Sequence, residues 1–232
     1  MLPLVLLPAL LCDDELYRTQ TDALSDLAQP LPLAATASTL AEAAHWVLRR
    51  VPERFALVGT SAGGNLALEV IAAAPERVAG LWLMGCNPGL HGDPDGARRS
   101  SERVRAGGFE AVVEDLVGRA VYAGGPCARE ALDALRRMAR RFSPEAFVRV
   151  NDALRARAPR WDALDVLRGP TLLVWGRHDQ FSSVERASAI LTRVSSARLI
   201  VLEDCGHLPT LEQPDACTQA AREWLKRVSA RR

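Results

Sequence analysis

Ser61 sits between two glycines in Gly59-Thr60-Ser61-Ala62-Gly63. A hydroxyl at the apex of a tight strand-to-helix turn is the G-x-S-x-G arrangement of an acyl-transfer nucleophile. An apolar run, Phe55 to Val58, leads in, and a small-residue helical segment, Ala62 to Ala74, leads out. Glycines two residues before and after the serine remove the Cβ atoms that would collide where strand and helix nearly touch. Gly64 adds a third small position. The helix start offers free backbone N–H groups, that of Ala62 first. The stretch does not read as a phosphate cradle, because no lysine follows the glycines and the G-x-G-x-x-G spacing is absent.

A neutral hydroxyl is a weak nucleophile near pH 7 and needs a base. His207 and Asp179 each follow an apolar run of strand length, and functional groups gather at the C-terminal ends of parallel strands. His207 can take the serine proton through one ring nitrogen while Asp179 accepts from the other and holds the tautomer. The chain has four histidines. His45 lies beside Trp46 in a helix, His91 in a Gly/Pro loop, and His178 points away from its neighbour Asp179. Glu203, Asp204, Asp93 and Asp95 compete with Asp179 for the acid, but Asp204 is too near His207 in sequence to face it. Asn87, at the end of another strand, leaves a second possible acid position without a carboxylate. The oxyanion hole should combine Ala62 N–H with a second N–H from the loop Pro8 to Cys12. Pro8 has none, so Ala9, Leu10 or Leu11 must supply it.

The elements that must position these groups can be read in order. Leu2 to Leu7 is a continuous apolar run, expected as a strand buried on both faces. Asp13 or Asp14 can cap a helix reaching about Ala28. Leu31 to Ala35 is a weak strand that Pro30 and Pro32 confine to an edge. Thr39-Leu40-Ala41-Glu42 reads as a capping box before a helix with Leu40, Ala43, Ala44, Val47 and Leu48 on one face. Val78 to Met84 is the next strand. From about residue 88 to 167 strand signals vanish, and helices are expected near 97–107, 109–120, 127–141 and 144–157. This reads as an insertion within one domain spanning 1–232, since Pro170 to Trp175 and Ala197 to Leu202 resume the strands. Helices about Ser183 to Val194 and 213–228 complete the chain. Alternating strands and helices predict a mainly parallel α/β sheet with helices on both faces.

Composition narrows the classes. At 232 residues with 48% apolar and 25% charged content, one domain with a large core is the default. A net charge of +1 and no basic stripe with aromatics argue against a nucleic-acid partner. Lys226 is the sole lysine, in a polar C-terminal segment, which argues against Schiff-base chemistry. The five cysteines are odd in number and form no C-x-x-C. Neither a disulfide framework nor a zinc site is expected, and a reducing cytoplasm fits. Met1 to Cys12 has the look of a signal-peptide core ending in a cysteine. It lacks a positive start and small cleavage-site residues, and is too short to span a bilayer, so no membrane association is expected.

The motifs now support a resemblance. The chain resembles an α/β-hydrolase of the small carboxylesterase group, similar to the pimeloyl-acyl-carrier-protein methyl ester esterase and its relatives. The matching stretches are Leu7 to Asp13, Phe55 to Gly64, Ala74 to Val78, Gly176 to Asp179, Cys205 to Leu208 and Leu211 to Pro214. They span nearly the whole chain, and the serine elbow and Gly-His motif are specific to the superfamily. The chain order Ser61, Asp179, His207 is that of the α/β-hydrolases. The resemblance implies Leu10 as the second oxyanion donor, although Pro8-Ala9 replaces the usual His-Gly. It implies a sheet of about six strands, without the two that usually open the fold, and a cap formed by the insertion. The implied activity is carboxylic ester hydrolysis on a small molecule through an acyl-enzyme, with no cofactor and no metal.

Leu11, Asn87, Phe181 and Leu208 are candidate substrate contacts. Insertion residues such as Phe109, Val112, Val113, Leu116, Tyr122 and Phe147 are expected mainly in the core. The same triad could serve thioester or amide hydrolysis, acyl transfer, C–C cleavage or perhydrolysis. A non-catalytic receptor on this scaffold is the alternative of another class, and it would be expected to carry a broken triad.

Overall fold

The computed structural model describes residues 1–231. Six parallel strands form one sheet in the order β2-β1-β3-β4-β5-β6. They are β1 (Leu2–Leu7), β2 (Ala28–Pro32), β3 (Phe55–Thr60), β4 (Val78–Met84), β5 (Thr171–Gly176) and β6 (Ala197–Leu202). The runs that read as continuously apolar divide their side chains between the two faces, as a period of two requires. Leu4, Leu6, Ala56, Val58, Trp82, Met84, Leu172 and Val174 enter one core. Val5, Leu7, Leu57, Leu81, Leu83, Leu173 and Trp175 enter the other. Helices α2 (Leu40–Leu48), α3 (Ala62–Ala73) and α9 (Val184–Arg193) cover the second face, while α11 (Pro214–Ser229) covers the first.

The edge strand corrects one expectation. It begins at Ala28 rather than Leu31 and contains both prolines. Leu33 N donates to Leu6 O at 2.9 Å, so the odd-numbered amides face β1. Pro30 and Pro32 have the other parity and turn their missing donors outward. The helix expected to reach Ala28 is correspondingly short: a 3-10 turn, Asp14–Tyr17, precedes α1 (Arg18–Ala23). Thr39 caps α2 by accepting from Glu42 N at 3.1 Å.

Between β4 and β5 lie α4 (Pro94–Arg105), α5 (Phe109–Ala120), α6 (Ala128–Arg141), α7 (Pro144–Ala156) and α8 (Trp161–Val166). The short α8 and α10 (Pro209–Glu212) lie outside the helices expected from the sequence. The insertion shares a core with the sheet, since Val112, Val117, Leu135, Met138 and Phe147 pack in the cluster that holds Trp82 and Trp224. No helix among the described residues is long and apolar enough to cross a membrane.

Candidate active site

Ser61 occupies the turn between β3 and α3 with φ 54° and ψ −114°. It is one of two non-glycine residues with positive φ among those described, a conformation that costs of order 1–3 kcal/mol and survives only where its surroundings enforce it. Here the enforcement is backbone packing. Ser61 N donates to Met84 O at 2.8 Å, and Asn65 N returns to Ser61 O at 3.0 Å. A Cβ on Gly63 would strike the carbonyls of Leu7 and Pro8, so α3 is pressed onto the end of β1. That close approach sets Ala62, the first helical residue, beside Leu10, and both belong to one apolar cluster with Leu40 and Leu154. Leu11 is the other positive-φ residue, at 66°. Its side chain is buried in the core.

The acid and base stand on neighbouring loops. His207 Nδ1 donates to Asp179 Oδ2 at 2.8 Å, and the carboxylate side chain is only 1% exposed. Asp179 Oδ1 accepts from Phe181 N at 2.8 Å and Ser182 N at 2.9 Å. Ser182 is fixed in turn, its hydroxyl donating to Cys86 O at 2.8 Å and its carbonyl accepting from Trp175 Nε1 at 2.7 Å. With Nδ1 committed to Asp179, Nε2 of His207 is left to accept a proton. Gly85, with φ 58°, lies directly under this pair. A Cβ there would come within 2.7 Å of His207 Cε1 and 3.2 Å of Asp179 Oδ2. Gly85 follows Met84, which holds Ser61 N, so the three predicted residues converge on the end of β4. The structure joins His207 to Asp179 by a hydrogen bond and brings Ser61 to the same edge without one. Asp204, the rival acid, is exposed.

The other predicted contacts are placed as follows. Asn87 is buried and orders its own loop, donating from Nδ2 to Leu90 O at 2.7 Å and accepting from Gly89 N at 2.9 Å. Phe181 is partly exposed, its ring centroid 4.8 Å from that of His207 and 4.5 Å from the Arg119 guanidinium of α5. Leu208 is buried, and its N–H donates to Glu212 Oε1 at 2.9 Å. His178 stacks on Tyr122 at 3.8 Å, and His45 bonds within its own helix to Ala41 O. An apolar cavity of ≈ 40 Å³ opens beside Leu10 and Ala62, between Leu33, Ala37 and Leu40 on one side and Phe142, Val150 and Ala153 of the insertion on the other. No charged side chain lines it. Cys12, Cys205 and Cys217 are buried thiols whose ionisation burial pushes up, and burial pushes Cys86 up to about 12. Such thiols are poor nucleophiles. Among the described residues no group of His, Cys, Asp and Glu could hold a metal ion.

The sequence profile of the alpha/beta hydrolase family matches residues 10–220. The chain belongs to this family. A solved thermophilic esterase from Thermogutta terrifontis is 26% identical to this α/β hydrolase with a TM-score of 0.88, covering 98% of this chain and 90% of that one. The enol-lactonase of Burkholderia xenovorans LB400 shares the fold at 20% identity, TM-score 0.85, over 97% of this chain and 92% of that one. Among curated relatives, the 2-hydroxy-6-oxo-6-phenylhexa-2,4-dienoate hydrolase of Comamonas testosteroni is 29% identical over 184 residues, 75% of this chain and 63% of that protein. The chain thus spans less than two thirds of the length of the curated relatives it matches first.

Sequence reasoning missed Gly85 and Glu212. Gly85 was visible as a glycine ending a strand, although only the fold puts it beneath the imidazole. Glu212 lies in the matching stretch Leu211 to Pro214 but received no role there; its burial depends on how the insertion folds back.

Proposed function

We propose that this α/β hydrolase is a serine esterase acting on carboxylic esters of small molecules through an acyl-enzyme. The observation that carries the reading is the 2.8 Å His207–Asp179 hydrogen bond at the strand edge that holds the left-handed Ser61 turn. In this reading His207 Nε2 takes the proton of Ser61 Oγ as the oxygen attacks the ester carbonyl carbon. The oxyanion accepts from the N–H groups of Ala62 and Leu10. The C–O bond to the alcohol then breaks, and His207 returns the proton to the leaving oxygen. Water repeats the sequence on the acyl-enzyme, releasing the acid and restoring Ser61. Asp179 holds the tautomer and stabilises the imidazolium. No cofactor or metal enters. Helices α4–α8 serve as a cap over the cleft, and the free thiols suit a reducing cytoplasm.

The dienoate hydrolase relative offers a second reading, hydrolytic C–C cleavage on the same triad. The cavity beside the oxyanion donors favours the ester. It is small, so it suits a short acyl chain better than the bulky benzoyl group that cleavage of a 6-oxo-6-phenyl dienoate would leave on the serine. A fluorophosphonate probe should label Ser61, and Ser61→Ala should lose roughly a thousandfold or more in turnover. p-Nitrophenyl acetate and butyrate should outpace both longer esters and a dienoate C–C substrate. Labelling elsewhere, or full activity in Ser61→Ala, would leave the receptor reading standing.

A further inference from the structure

Glu212 is a fully buried carboxylate with no cation in hydrogen-bond reach among the described residues, yet both oxygens are in use. Oε2 accepts from Gly206 N at 2.7 Å and from Tyr122 N at 2.9 Å, and Oε1 accepts from Leu208 N at 2.9 Å. Gly206 and Leu208 flank His207, whose own N–H donates to Ala120 O at 2.8 Å. Every amide of the 206–208 loop is therefore spoken for, two by Glu212 and one by Ala120 at the end of α5. Tyr122, two residues further along, closes the circuit. The fit is close: a Cβ on Gly206 would come within 2.8 Å of Ala120 O and Tyr122 N and 3.1 Å of Glu212 Oε2. Burial pushes the Glu212 carboxyl above the ordinary glutamate value, while its three N–H donors and nearby His207 favour the charged form. A buried carboxylate is retained at such a cost where it satisfies donors that nothing else can reach.

We propose that Glu212 is a positioning residue for His207: its carboxylate binds the amides on either side of the histidine and the Tyr122 amide of the insertion. The imidazole is thereby held on Asp179 and toward Ser61, and the insertion becomes part of the mounting of the base. This inference rests on the reading of His207 as the general base. It extends the site from three side chains to a fourth that never touches substrate.

The test is Glu212→Gln, which keeps the size but replaces one acceptor oxygen with a donor, so at least one of the three amides loses its partner. With p-nitrophenyl butyrate, kcat should fall about tenfold or more while KM changes less than about twofold, because small misplacements of a reacting group cost rate rather than binding. The same substitution in a His207→Ala background should slow the residual turnover no further, since residues acting through one group are non-additive. An unchanged kcat in Glu212→Gln, or an equal loss with and without His207, overturns the positioning role. Native turnover in His207→Ala would overturn the base assignment and this inference together. Should the Gln variant fail to fold, amide hydrogen exchange on the unmodified protein decides. The Gly206, Leu208 and Tyr122 amides should be protected as one group, and fast exchange at any of them in the folded protein rules the clamp out.

Discussion

Ser61 is held by main chain: a left-handed backbone, an amide bonded to β4, and a helix pressed by Gly63 against the end of β1. Around His207 the means are different. Its ring rests on a carboxylate, its amide on Ala120, and its neighbours on a second, buried carboxylate. The first half is local in sequence, with the strand, turn and helix all between Phe55 and Ala73. The second draws residues from the end of α5, the loop after β5, the loop after β6 and α10. A backbone-built site can be damaged chiefly by altering the chain path. A site built from side-chain bonds can lose rate while the fold stands.

The largest expected effect follows from the second half. Asp179→Asn keeps the size of the side chain but presents an NH2 or a neutral oxygen to His207 Nδ1, so the ring can settle in the wrong tautomer. Turnover should fall by about 10⁴ with little change in melting temperature. If Asp204→Asn gives that loss instead, the acid has been misassigned. In the first half the matching experiment must remove a backbone donor. Leu10→Pro deletes the N–H and should cost about 10²–10³ in kcat, whereas Leu10→Ala keeps the N–H and most of the rate. Circular dichroism must first show the proline variant folded. Normal turnover in that folded variant would assign the donor to Ala9 or Leu11.

Two glycines sharpen the contrast. A methyl on Gly63 runs into main-chain carbonyls of Leu7 and Pro8, which cannot yield. Gly63→Ala should therefore destabilise the fold by about 3 kcal/mol or more. A methyl on Gly85 meets the His207 ring, a side chain that can turn aside. Gly85→Ala should cost about 1 kcal/mol for its positive φ. It should also lose about tenfold to a hundredfold in turnover as the His207 ring swings off Asp179. Melting curves and steady-state rates on the pair would separate the two modes; equal unfolding by both would erase the distinction.

The same division decides what could be read from the sequence. The local half was legible: apolar runs gave the strands within a few residues, and Gly59, Ser61 and Gly63 marked the turn. Pro30 and Pro32 announced an edge strand, although its limits were misplaced because the preceding helix ends after six residues, at Ala23. Asp179 and His207 were legible as residues at strand ends, since a parallel sheet gathers those ends on one edge. Glu212 and Tyr122 were not, because their meeting depends on 90 residues of intervening chain returning to one point. No periodicity records that a glutamate will be buried against three amides. Asn87 and Leu11, chosen for their place along the chain, turn inward in the structure to order a loop and to fill the core.

The smallest effect lies where the Ser61 half meets the insertion. Asp13 and Glu15, just after the loop that carries Leu10, face α6. Arg141 donates to Asp13 Oδ2 at 2.6 Å and to Glu15 Oε2 at 2.7 Å, and Arg137 donates to Glu15 Oε1 at 2.7 Å. Burial pushes both carboxyls up, but hydrogen bonds from the arginines outweigh it and hold them below their ordinary values of 3.8 and 4.5. Folded-state values held low mean that this joint contributes its full stability above those ordinary values and loses it as pH falls through the lowered ones. The arginines are about half exposed, 49% for Arg141, so water and salt screen the joint. Arg141→Gln should then cost only about 1 kcal/mol at pH 7, seen as a small drop in melting temperature, with turnover little changed. Added salt should shrink the difference. Acid should shrink it too, so that wild type and variant converge as pH drops below the ordinary carboxylate range. A gap that persists at low pH would show that Arg141 acts by packing its stem against the segment that holds Asp13 and Glu15 rather than by charge. A tenfold loss of turnover would show instead that the loop carrying Leu10 depends on this ionic joint.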